Sequence, residues 1–436
     1  MGEEKKDNRN AKRLLQVLNL LALLLLFAAY LVYATEKRQQ PVYGAIEGTA
    51  IEAVCKRVAA AIWGQHEELS QRFDNSPLRP DESKIAEAIE AEMARIRPTH
   101  AVTFPSGERR FGSLRQGEPD GPRTLVTAGR DAGSVALPPE AQVEALPSLT
   151  EPLAPRDQRF LIHFQELSHY FIAPYLFATD ASYQKVHDIH HQLSVLSEEF
   201  RAEFAPFVSN TKAPHVHVCF FLDKQTYYAE TARRIATAYI NSAGFYAERD
   251  NCLYLHELQG DAEFADGFSH GFQRNDRRAE MLRITRHEGA HQLCSSYGIF
   301  DRFGQGAPRW LSEGVAQYCE LPVMGLADSA KLTLLRDAAA NDLLLDWERL
   351  VSGETEQVFN EKGVQRIAYA QSWLLLRALM SKPYRAQFFK HLLESDTITG
   401  DHLSVLVHDL ETTPTKLFND LTTSLHESQE NSEDTH

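Results

Sequence analysis

The chain is poor in cysteine, in excess positive charge and in long apolar runs. Five cysteines in 436 residues, Cys55, Cys219, Cys252, Cys294 and Cys319, are too few and too scattered for a disulfide framework, and their odd number leaves at least one thiol unpaired within the chain. Cys219 and Cys252 fall on two strand-like runs and can pair only if those strands are neighbours. Lys and Arg number 45 against 60 Asp and Glu, a net charge of −15, which excludes the basic footprint of a nucleic-acid binder. Acidity itself names no substrate; it is mainly a statement about solubility. No repeat of about 20–50 residues is present, which excludes a solenoid or a propeller. Apolar runs of bilayer length are absent everywhere but at the N-terminus.

That one run, Leu14–Ala34, is broken only by Gln16 and Asn19 and has the length of a membrane-spanning helix. Lys5, Lys6, Arg9, Lys12 and Arg13 precede it, against Lys37 and Arg38 just after, so the positive-inside bias puts the N-terminus in the cytoplasm and the rest outside. Tyr30 and Tyr33 sit where an interfacial belt forms. The reading is a basic cytoplasmic tail over 1–13 and an uncleaved transmembrane signal-anchor over 14–34. The alternative is a cleaved signal peptide with the core Leu20–Val32 and a small-residue site at Val32-x-Ala34, which makes the protein secreted.

Further along, Ile46–Phe73 and Ser83–Ile96 carry apolar residues at three- and four-residue steps and are predicted as helices. Pro98–Pro155 holds nine of the 19 prolines, so helix cannot persist there. The segment 35–157 is therefore expected to be juxtamembrane helices and a Pro-rich spacer, although the strand-like run Thr124–Ala128 leaves a small β module open. A separate folded domain is expected over 158–423, and the polar, acidic 424–436 is expected to be a disordered tail. Within the domain, helices are predicted at Phe160–Phe177, Tyr183–Phe204, Arg277–Ser296, Ser312–Leu321, Ile367–Leu379 and Tyr384–Leu393, and strands at His215–Leu222 and Leu253–Leu255. The expected fold class is α+β: a small sheet packed on a long helix, then a mostly helical lobe.

His287-Glu288-Gly289-Ala290-His291 lies inside one of those helices. Positions i and i+4 stand one above the other on a helix, so both imidazoles can reach one Zn²⁺ while Glu288 flanks them, placed to act on a water at the metal. A catalytic zinc site needs three protein ligands and one open position. Glu313, on a second helix entered through Pro308, supplies a carboxylate of the right type. A Gly- and aromatic-rich excursion at Tyr297–Gly306 lets the second helix fold back on the first.

Together HEGAH and Trp310-Leu311-Ser312-Glu313-Gly314-Val315-Ala316-Gln317-Tyr318 resemble the gluzincin division of the zincin-like metallopeptidases, whose third ligand is a Glu in a W-L-x-E-G-x-A-x-Y helix. The run Pro214–Asp223, Tyr227-Tyr228, Gly244-Phe245-Tyr246 and Cys252–Leu255 resembles the strand–helix–strand stretch before the metal helix in a poorly characterised bacterial gluzincin family. Ala368-Tyr369-Ala370-Gln371-Ser372-Trp373 resembles that family's downstream helix. The likeness runs from Phe160 to Leu393. It implies a zincin-like fold, zinc held by His287, His291 and Glu313, Glu288 as general base, and Tyr369 as a donor to the developing oxyanion. The function it implies is hydrolysis of peptide bonds in a peptide or protein substrate by a membrane-anchored enzyme. No G-x-M-E-N element is present, so an aminopeptidase is disfavoured.

Other histidines have plainer readings. His187, His190 and His191 can share a face of the polar amphipathic helix Tyr183–Phe204, as a surface helix would show. His215 and His217 share a strand face, with no carboxylate or Cys near in sequence, and are read as structural. Cys294 shares a helix face with His287, but a fourth ligand would close the open position, so it is read as a small buried residue. The rival function is a non-catalytic binding module on the zincin fold, against which the intact Glu288 argues, since closed structural zinc sites need no base. Specificity and oligomeric state have no code in this sequence.

Overall fold

A computed structural model describes residues 75–115, 123–127, 132–146, 153–208, 215–232, 243–258, 277–300, 308–351 and most of 358–394, with isolated positions beside these. The chain divides into two units, Met1–Phe73 and Asp74–His436, and the description concerns the second. The Leu14–Ala34 anchor, the helix expected over Ile46–Phe73 (its last residue aside) and the 424–436 tail lie outside the described residues. No described helix is long and apolar enough to cross a membrane.

The architecture is mixed α+β, with two five-stranded sheets and a set of helices. Helix α1 (Pro80–Ile96) starts with a proline in its first turn, and Glu82 accepts the Arg79 N–H at 2.9 Å. Strands β1 (His100–Thr103), β2 (Arg109–Arg115), β3 (Thr124–Thr127), β4 (Gly133–Ala136) and β5 (Gln142–Ala145) form an antiparallel sheet in the order β4-β3-β2-β1-β5. Its small core is Val102, Leu125, Leu137 and Ala141. Much of the stretch expected as a spacer is therefore folded β structure, and the prolines lie between its strands rather than inside them.

Helix α2 (Pro155–His163) leads into strands β6 (Ser168–Ile172) and β7 (Tyr175–Thr179), an antiparallel pair. The single helix expected over Phe160–Phe177 is thus a helix end followed by a hairpin. Helix α3 (Tyr183–Glu203) opens on Ser182, whose hydroxyl accepts the Lys185 N–H, and a short α4 (Ala205–Val208) follows. Strand β8 (Val216–Phe221), helix α5 (Lys224–Ala232), strand β9 (Gly244–Ala247) and strand β10 (Cys252–His256) complete a sheet of order β6-β7-β8-β10-β9. Its inner pairs, β7 with β8 and β8 with β10, are parallel, and its outer pairs are antiparallel.

Every residue of β7, β8 and β10 is buried because helices cover both faces. Val216, Val218 and Phe220 point to α3 and to helix α6 (Arg277–Ser296), where Val186, Ile189, Leu193, Met281 and Ile284 join them. His217 and Tyr254 face the other way, toward Phe160 of α2 and Phe164 just after it. Helices α7 (Arg309–Cys319), α8 (Ser329–Ala340), α9 (Trp347–Val351), α10 (Gln365–Leu379) and α11 (Arg385–Glu394) form a lobe whose core includes Trp310, Leu335, Trp373 and Phe388 and reaches Phe200 of α3 and Leu293 of α6. Helix α6 therefore belongs to both cores, with the sheet on one side and the lobe on the other.

Two glycines set how closely helices approach the centre. A Cβ on Gly289 would stand 2.8 Å from a Leu193 methyl, and one on Gly314 would stand 2.9 Å from the Ser372 carbonyl oxygen. The first lets α6 press against α3; the second lets α7 press against α10.

Candidate metal centre

His287 and His291 occupy successive turns of α6, and Glu313 reaches them from the second turn of α7. The His287 and His291 Nε2 atoms are 3.3 Å apart. Glu313 Oε2 lies 3.4 Å from the first and 3.8 Å from the second. Four-coordinate zinc about 2.0–2.1 Å from each donor requires donors about 3.3–3.4 Å apart. The three side chains fit such an ion, with two imidazole nitrogens and one carboxylate oxygen turned to a common point. No other cluster of three His, Cys, Asp or Glu among the described residues is so arranged.

Electrostatics follow from the same contacts. Burial lowers His287, but hydrogen bonds to Glu313 and Glu320 outweigh it and hold the imidazole up at about 10. His291 is pushed down to about 4 by burial. Burial also opposes ionisation of Glu313, yet the hydrogen bond from His287 and the neighbouring histidine charges take it down to about 2. Glu288 is raised by burial to about 7, against the pull of His287, and its Oε2 accepts the Tyr246 N–H of edge strand β9 at 2.9 Å.

Tyr369, on α10, is brought to this centre. Burial raises its phenol, the Glu313 and Glu288 charges act on it in the same direction, and it shares a hydrogen bond with Arg309. Arg309, one turn before Glu313 on α7, places Nε 3.6 Å from Glu313 Oε1 and lies over the Phe359 ring. Glu313 thus turns Oε2 to the histidines and Oε1 to a guanidinium.

Sequence reasoning missed Arg309 and the surroundings of the candidate ligands. Glu320 Oε1 accepts from His287 Nδ1 at 2.7 Å. Ser312 Oγ is 3.3 Å from His291 Nδ1. Glu320 carried a readable signal: an acidic residue at a helix C-terminus opposes the macrodipole and needs a reason to be there.

The remaining candidates stay apart from the centre. His187 packs on the Phe111 ring at 4.1 Å, and His190 faces the Ala173 carbonyl and Ser194. His215 and His217 flank Asp157 at 2.8 and 2.9 Å, so their carboxylate is near in space though distant in sequence. Cys219 and Cys252 are thiols on adjacent strands with sulfurs 3.7 Å apart. Cys294 is a buried thiol, pushed up by burial, and no member of the donor cluster.

A family model described as "Protein of unknown function (DUF1570)" matches residues 282–398. The matched stretch contains His287, Glu288, His291, Glu313, Glu320 and Tyr369, and neither sheet. No curated protein matches the chain.

Proposed function

We propose that the chain is a zinc-dependent peptidase of the gluzincin type, with His287, His291 and Glu313 as metal ligands. The observation that carries the reading is the donor triangle with a fourth, non-ligand carboxylate beside it: Glu288 follows His287 in sequence and is no member of the cluster. A structural zinc site has no use for such a group. The fold class, α+β with a sheet against the metal helix, is compatible with a zincin-like domain.

Zinc bound there supplies Lewis acidity to a carbonyl oxygen and lowers the pKa of water. Glu288 accepts a proton from the attacking water and returns it to the leaving amine nitrogen, a task suited to a carboxylate raised by burial to about 7. Tyr369 keeps its proton through the working range, because burial raises the phenol, and donates it as a hydrogen bond to the oxyanion. Arg309 holds the outer oxygen of Glu313 and adds positive charge on the same side. The membrane anchor at Leu14–Ala34 and an extracytoplasmic catalytic domain belong to the same proposal, on the strength of the basic flank.

The test is metal analysis of the purified full-length chain together with digestion of an unbiased peptide library. One zinc per chain and chelator-sensitive cleavage are expected. Zinc without cleavage of any peptide would leave the binding-module reading in its place.

A further inference from the structure

We infer that Glu320 is the positioning residue that fixes His287 as a metal ligand, through a buried clamp built from α6 and α8; this rests on the metal-site reading above. Glu320 is wholly buried at the C-terminal end of α7. Its Oε1 accepts from His287 Nδ1 at 2.7 Å and from Arg283 Nη1 at 2.9 Å, and its Oε2 accepts from Lys331 Nζ at 2.8 Å. Arg283 lies one helical turn before His287 and is itself bound by Glu280 at 2.6 and 3.0 Å. Lys331, also wholly buried, comes from α8, reaches the Gln317 carbonyl at 3.4 Å and lies over the Trp373 ring.

Burial and the helix terminus both disfavour an anion here, and two buried cations are needed to hold it. An apolar side chain would fill the space more simply. What this carboxylate provides is an acceptor for the His287 Nδ1–H, which commits Nδ1 to its proton and leaves Nε2, turned toward His291 and Glu313, as the nitrogen that would meet the metal. With three donors on two oxygens, the carboxylate has little freedom to rotate. The two histidines are therefore unequally supported: His287 leans on an ion held by two cations, while His291 has a neutral hydroxyl at 3.3 Å.

Zinc affinity, read by competition with a chromophoric chelator on the full chain, separates this role from plain packing. Glu320→Gln is expected to weaken zinc by about 10- to 100-fold, the usual effect of removing an outer partner of a ligand. Ser312→Ala is expected to weaken it much less. Lys331→Met removes one cation but leaves Arg283 and His287 on the carboxylate, so it should lower the Tm of the metal-free chain and weaken zinc clearly less than Glu320→Gln does. If Glu320→Gln does not fold, Glu320→Asp carries the test, since it keeps the charge but falls short of Nδ1 and should lose zinc to a similar degree. Unchanged affinity in the Glu320 variant, or equal losses in it and in Lys331→Met, overturns the positioning role. A wild-type chain that takes up no zinc overturns the metal site itself, and the inference with it.

Discussion

The neighbours of Glu288 and Glu313 drive these two carboxyl groups in opposite directions. Burial takes Glu288 up to about 7, while hydrogen bonding and charge from the histidines take Glu313 down to about 2. In the proposed mechanism, a pair of acids split in this way divides the labour: one moves protons and the other stays ionised. Glu288→Gln should therefore retain zinc and folding but lose peptide hydrolysis by several orders of magnitude, measured as kcat on the best library substrate. Equal rates in variant and wild type would remove Glu288 from the mechanism. Tyr369→Phe keeps the ring against Phe359 and removes only the hydroxyl. It should lower kcat by about 10²–10³ with little change in KM, the usual effect of losing one oxyanion donor; an unchanged kcat would return Tyr369 to packing. His287, Glu288, His291 and Glu313 were legible because helical spacing fixes their relations locally. The contacts among Arg283, Glu320 and Lys331 were not, because they depend on how three helices pack, and the His287–Glu320 bond spans 33 residues.

Helices α7 and α10 meet across Gly314, where the Ser372 carbonyl leaves no room for a Cβ. Gly314→Ala should improve the intrinsic helix propensity of α7 yet destabilise the protein, because a methyl is forced against backbone that cannot rotate away. A loss of about 1–3 kcal/mol is expected from such overpacking, read from the denaturant midpoint at constant m. A gain in stability would mean that α7 shifts freely, and with it Glu313. Among the elements, the long helices α3 and α6 were readable to within a few residues. The β6–β7 hairpin was not: its strands have five residues each and β7 is buried on both faces, so the alternation that separates a strand from a buried helix is missing. The first sheet was legible only at Thr124–Ala128, where β3 lies; most of its other strands have four residues, too few to show a period.

Across the second unit as a whole, histidines held neutral by their surroundings make one contribution to the response to acid. Burial lowers His169 to about 4, and burial together with the charges of His190, Arg109 and His191 lowers His187 to about 4, from an ordinary 6.5. Both are neutral when folded near pH 7, and the unfolded chain takes up protons first as the pH falls. Their contribution is thus complete above about 6.5 and is lost progressively toward pH 4. Tm should fall steadily over that interval; a Tm flat from pH 7 to 4.5 would show that neither imidazole is held neutral. Glu288, at the junction of the two cores, has a quieter consequence through its bond to the Tyr246 N–H. Since β9 is the last strand of its sheet, that amide would otherwise be among the quickest to trade its proton with solvent. Tied to Glu288, it becomes a clock: its deuterium uptake should be slow while the carboxylate holds it and quicken once anything draws Glu288 away.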